Sequence, residues 1–249
     1  MKSTEVLEIP LYVGSIDKIV PKLLAEVNNG RSRCVSASGA HGLVHSKKNS
    51  SFKSILRSFY TNLPDGMPGV WVGRLKGEIE MTRCYGPDFF METMKASKSN
   101  VAHFLCGGQE GVADQLKDVC ENMFGAKIVG TYCPPFQPVQ EYDYEGIAEI
   151  INASQANFVW IGLSTPKQEE FAAYLSQYTN VDFVCCVGAA FDFHIGNVRQ
   201  APAWMQKNAL EWFFRLLVEP RRLWKRYFKI VPLFIYYNFA ELILKKLKR

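Results

Sequence analysis

The sequence lacks most of the signatures that would give a function away. It has no G-x-G-x-x-G and no glycine-rich loop followed by Lys-Ser/Thr, which removes the usual nicotinamide and Walker nucleotide signatures. Only four His are present, and the seven Cys show neither C-x-x-C nor Cys/His metal spacing, so no metal site is expected. An odd set of thiols, with Cys185–Cys186 inside an apolar run, reads as reduced and structural. No run of about twenty apolar residues is available to span a bilayer. The first fifteen residues hold no apolar core of signal-peptide length, so export by the usual route is not expected. Repeats and low-complexity linkers are absent, and a 48% hydrophobic content excludes a disordered chain.

Charge is scarce in one place and concentrated in another. The net charge of +5 hides a division at Arg215: residues 215–249 carry ten Lys/Arg against only Glu219 and Glu241, a net of +8. The remaining 214 residues carry a net of −3. A mildly acidic body with a basic end argues against a nucleic-acid binder, whose positive charge would spread over a face of the fold. The tail interleaves its cations with Trp212, Phe213, Trp224, Tyr227 and Phe228, as suits an anionic partner such as lipid headgroups or a diphosphate.

The middle of the chain alternates short apolar runs with helical periodicity. Strands are expected at 102–106, 126–132, 158–163 and 181–187, and helices at 109–124, 144–152 and 167–178. This rhythm predicts an α/β fold, a Rossmann-like parallel sheet with helices on both faces. Earlier in the chain a strand is expected at 33–38, with helices at 51–62 and from 66 to 75. From 203 the pattern is purely helical. The expected organisation is a core over residues 1–200 and a helical basic appendage over 201–249. The stretch 230–240, aromatic and flanked by Lys and Arg, suits a membrane interface.

Ligands of such sheets bind beyond the carboxyl ends of the strands, so four loops matter. Asp65, between Pro64 and Gly66, is either a turn former or a carboxylate able to act as a general base. Gly108, in Gly107-Gly108-Gln109-Glu110-Gly111, sits where backbone N–H groups approach an anion. Ser164 or Thr165 caps the following helix, leaving the Gln168 amide free to meet a sugar. Asp192, between Phe191 and Phe193, needs an Arg or backbone N–H partner if it is buried. On a single helix, Arg215, Arg222 and Arg226 would form one basic stripe.

In their order, these segments resemble the WecG/TagA/CpsF glycosyltransferases, glycosyltransferase family 26. The stretches that carry the resemblance are LPDGMPGVWVGRL (63–75), YGPDFF (85–90), FLCGGQEGVADQL (104–116), KIVGTYCPPF (127–136), INASQANFVWIGLSTPKQE (151–169), VGAAFDFHIGNVRQAPAWMQ (187–206) and LEWFFRLLVEPRRLWKRY (210–227). The resemblance implies transfer of a sugar from a UDP-sugar to a polyprenyl-diphosphate-linked saccharide, with inversion and without a metal or other cofactor. It implies work at the cytoplasmic face of the inner membrane, in bacterial surface polysaccharide biosynthesis.

Carried over position by position, the resemblance makes Asp65 the base and puts Arg83 near the donor's phosphates. Gln168 becomes the pocket amide, and Arg215, Arg222 and Arg226 close over the leaving diphosphate. Lys229, Lys245, Lys246, Lys248 and Arg249 would face anionic lipid. Where the family commonly shows Thr-x-Asn, this chain has Ser36-Ala37-Ser38, which keeps a hydroxyl at Ser36 and loses the amide at Ser38. Ser36, Ser38, Gly108, Ser164 and Asp192 complete the expected substrate contacts. The alternative is a non-catalytic nucleotide-sugar-binding scaffold of a polysaccharide assembly complex.

Overall fold

The computed structural model of the chain describes residues 1–208 and 210–247, except the side chains of residues 203, 207, 222 and 244–247. In chain order the elements are β1 (Ser3–Val6), β2 (Ile9–Tyr12), α1 (Ile16–Ala25), β3 (Arg33–Ser38), α2 (Ala40–Lys48), α3 (Ser50–Ser58), β4 (Thr61–Pro64), α4 (Met67–Leu75) and α5 (Gly86–Ser97). There follow β5 (Ala102–Gly107), α6 (Val112–Phe124), β6 (Lys127–Tyr132), α7 (Tyr144–Ala153), β7 (Phe158–Gly162), α8 (Lys167–Leu175), β8 (Phe183–Cys186), α9 (Ala190–His194), α10 (Ala203–Lys207), α11 (Glu211–Val218) and α12 (Pro220–Leu247). The strands form one sheet in the order β1-β2-β4-β3-β8-β7-β5-β6, parallel except for the β1–β2 hairpin.

Strand alternation distributes the core between the two faces of this sheet. Phe158, Trp160, Phe183 and Cys185 point to one side, where α1, α5, α6 and α9 supply Leu23, Phe90, Leu116 and Phe191. Val159, Ile161, Val184 and Cys186 point to the other, against Leu43 of α2, Phe52 of α3, Ile151 of α7 and Phe171 of α8. With both faces covered, the strands read as continuous apolar runs, which is why the middle of the sequence announced them. Six of the seven thiols are buried and all are unpaired; Cys133 is exposed.

Two expectations need correction, and one element was not foreseen. The helix expected over 51–62 ends at Ser58, and Thr61–Pro64 is strand β4, wholly buried between β2 and β3. Tertiary pairing overrides the helical periodicity there. The β1–β2 hairpin was not anticipated because Leu7 and Glu8, its two turn residues, adopt φ of 52° and 68° without Gly or Asn. Leu7 is fully buried, which offsets the cost of that backbone. Lastly, Arg215 does not share a helix with Arg222 and Arg226. Glu219 precedes Pro220 and leaves the helical region (φ −127°, ψ 57°), so α11 ends there and α12 starts anew on a proline.

The appendage is not a detached tail. Helix α12 lies across α2, burying Leu223, Ile230 and Phe234, and the last two join the core on that face. Lys76, at the end of α4, forms a 2.6 Å ion pair with Glu241. The 230–240 stretch therefore has two faces. Ile230, Phe234 and Asn238 face the protein, while Ile235, Tyr236 and Phe239 are each more than 60% exposed. No described helix is long and apolar enough to cross a membrane.

Candidate active site

The parallel strands bring Ser38, Asp65, Gly108, Ser164 and Gly188 to one edge of the sheet. Asp65 is fixed from three sides as β4 runs out. Its N–H donates to the Ser38 carbonyl (3.3 Å), its Oδ1 accepts from Gly86 N–H (2.8 Å), and its carbonyl accepts from Arg83 Nε (2.7 Å). A Cβ on Gly86 would stand 3.0 Å from the Val187 carbonyl, so glycine permits this approach of α5 to the crevice. Asp65 keeps some surface open to the crevice, yet the surrounding protein desolvates its carboxyl and pushes the pKa up to about 6. Arg83, Arg215 and the Gly86 N–H pull the other way, and Glu211 adds to the rise.

Arg83 and Arg215 act on this carboxyl, and a third cation, Arg226, lies against α2. The Arg83 guanidinium lies 3.9 Å over the Tyr85 ring and pairs with Glu211 of α11. Arg215, one turn further along α11, sits 5.6 Å over the Phe193 ring. Arg226 approaches His41 in the first turn of α2, where burial and this positive charge lower the imidazole's pKa to about 4. The Nε atoms of Arg215 and Arg226 are buried with no hydrogen-bond partner among the described residues. Buried guanidinium donors left open in this way suit an anionic ligand. The Arg222 side chain lies outside the described residues, as do the side chains of Lys245 and Lys246, and Lys248 and Arg249 altogether.

Several expected contact residues serve the floor of the crevice instead. Ser36 has no accessible surface, and its hydroxyl donates to Glu169 Oε1 (3.2 Å). Ser38 is buried and donates to Ser36 Oγ at 3.1 Å and Asn62 Oδ1 at 3.4 Å. Gln168 is not the free amide that was expected. Its Oε1 accepts from Gly188 N–H at 2.9 Å, and its Nε2 donates to Thr165 Oγ1 at 3.1 Å and Glu169 Oε1 at 2.9 Å. The cap reading also fails: Pro166 is the N-cap of α8, with no side-chain cap bond, and Thr165 donates to Glu169 Oε1 (2.9 Å).

Glu169 is thus the hub of a buried ring that the sequence did not reveal. Its Oε1 takes three donors, its Oε2 is buried without a partner, and desolvation raises its pKa to about 7. The other loop residues lie nearer the surface. Ser164 is exposed, and Gly108 is half-buried in the left-handed region (φ +78°) with its N–H donated to the Gly162 carbonyl (3.0 Å). Asp192 is half-buried, and its carboxylate makes no hydrogen bond or ion pair with the described residues, contrary to the partner expected for it. His41 and His45 stand one turn apart on α2, a metal-like spacing overlooked in the sequence. His45 packs edge-on to Phe52 at 4.9 Å and His41 faces a cation, and no third ligand groups with them among the described residues. Two cavities, of about 260 and 380 Å³, open at the amino ends of the strands and contain none of these residues.

A parallel sheet whose carboxyl edge holds a carboxyl of raised pKa beside guanidinium groups is chemically suited to an anionic ligand. The chain belongs to the glycosyl transferase WecG/TagA/CpsF family, whose profile matches residues 4–248. It is therefore a member of a glycosyltransferase family of cell-surface polysaccharide synthesis.

Proposed function

We propose that the protein is an inverting, metal-independent glycosyltransferase that moves a sugar from a UDP-sugar to a polyprenyl-diphosphate-linked saccharide. Asp65 is the general base: it takes the proton of the acceptor hydroxyl as that oxygen attacks the anomeric carbon. The bond from the sugar to the UDP phosphate breaks on the opposite face, and the configuration inverts. Arg83, Arg215 and Arg226, with Arg222, take up the charge of the departing diphosphate, so no cofactor is required. Gln168, Ser36 and Ser38 shape the floor beneath the sugar, and Gly108, Ser164 and Asp192 line its rim. Residues 1–200 form the transferase core, and residues 201–249 complete the site.

The observation that carries this reading is the Asp65 carboxyl with its pKa near 6, placed beside Arg83 and within the field of Arg215. A base poised there is mostly ionised at neutral pH and still basic enough to accept a proton. The enzyme works from the cytoplasmic face of the inner membrane, held by the exposed aromatic face of α11 and α12 and the cations beside it. The test is UDP release from a panel of UDP-sugars with a polyprenyl-diphosphate acceptor. Release with one donor supports the transferase. UDP binding without turnover on any donor favours the scaffold, which the internal engagement of Ser36, Ser38 and Gln168 would then explain.

A further inference from the structure

The cations of the appendage have an anionic companion. Glu211 opens α11 and pairs with Arg83, and both side chains are mostly withdrawn from solvent, 14% and 16% exposed. Arg83 is held at three points: Nε on the Asp65 carbonyl at 2.7 Å, the guanidinium face on Tyr85 at 3.9 Å, and Nη2 on the Glu211 carboxylate. Nη1 makes no hydrogen bond with the described residues and is not buried, so it remains available to a ligand. Two of the three anchors come from the core. The third comes from the appendage and holds the Nη2 edge of the guanidinium. The charged groups around this pair are Asp65 beyond β4, Asp88 on α5 and Arg215 on α11; Tyr85 adds a buried hydroxyl.

We propose that Glu211 is a positioning residue, which acts through Arg83 to aim the cation that receives the donor's phosphate. Docking of α11 and binding of the nucleotide are then coupled, because the core arginine gains its third anchor only when the appendage is in place. The proposal rests on the UDP-sugar reading above and adds a carboxylate to its machinery. A planar guanidinium held by a fork of fixed partners binds phosphate with less loss of rotamer freedom than a free one. Glu211 does not compete with the phosphate for the same donor, since Nη1 lies outside the pair.

The test is a double-mutant cycle read by calorimetric titration with UDP up to millimolar concentration, so that weak binding stays measurable. Glu211→Gln keeps the shape of the side chain and removes its charge. It is expected to weaken UDP binding by about tenfold in the wild-type background and by less than twofold in an Arg83→Ala background. Amide exchange over 211–218 checks that α11 stays docked in Glu211→Gln. Equal losses in both backgrounds would overturn the proposal, since Glu211 would then act on the fold rather than through Arg83. Wild-type affinity in the single variant would overturn it as well. A wild-type chain that binds no UDP would overturn the donor reading itself, and this proposal with it, which separates the two failures.

Discussion

At the residue scale, Asp65 and Glu169 both have raised pKa values and differ because Glu169 is buried while Asp65 keeps some exposed surface. In the proposed reading Asp65 exchanges its proton with a bound acceptor, whereas Glu169 is enclosed by Ser36, Thr165 and Gln168. Glu169 also carries a stability prediction. Its folded pKa of about 7 lies above the ordinary glutamate value, so the folded state holds the proton more tightly than the unfolded chain. That contribution is complete in acid and is lost as pH rises through 7. Glu169→Gln removes the loss, by an amount on the order of 2 kcal/mol. Urea midpoints should therefore fall less between pH 5 and pH 8 in this variant than in the wild type. A variant destabilised equally at both pH values would contradict this account of Glu169.

Asp65, between Pro64 and Gly66, read from the residues alone as either a turn former or a base; the resemblance made it the base, and strand β4, which leads into it, was not foreseen. Glu169 and Glu211 were not legible. A Glu in the first turn of a helix is an ordinary residue in a sequence, and only the fold shows that Ser36, Thr165 and Gln168 converge on one and Arg83 on the other. The cation that acts on His41, Arg226, lies 185 positions away and could not be read from the sequence. Gln168 shows the opposite error: it looked free because its partners, Gly188 N–H and Glu169, cannot be seen in a linear motif.

At the scale of elements, the appendage combines two jobs on one helix. Ile230 and Phe234 bury on the core, each worth about 2 kcal/mol, while Trp224, Phe228 and Phe239 face outward. Deleting 215–249 would thus expose core surface and confuse folding with membrane contact. Replacing Trp224, Phe228 and Phe239 by Ser is the cleaner test. This variant should keep the wild-type melting temperature within a few degrees and lose most cosedimentation with anionic liposomes. Unchanged cosedimentation would contradict the outward face as the membrane contact. The parallel strands were legible as buried apolar runs, but the β1–β2 hairpin and β4 were not. The hairpin turns on Leu7 and Glu8 without a glycine signal, and β4 is four residues long.

Across the whole molecule, the division of charge at Arg215 takes on a spatial meaning. In the proposed reading the −3 body supplies the base and the floor, and the basic end folds back so that Arg215 acts on Asp65 and Arg226 on His41, which a free tail would not do. Replacing Arg215 and Arg226 by Ala should consequently lower UDP affinity even in detergent solution, where no membrane is present. The pH profile carries the same claim. kcat/KM should rise with pH through an apparent pKa near 6, because the ionised form of Asp65 is the active one. The most direct measurement is turnover and UDP affinity of Asp65→Asn side by side. The account predicts transfer lowered at least ~100-fold with UDP binding changed by no more than a few-fold. Wild-type turnover in that variant would contradict it.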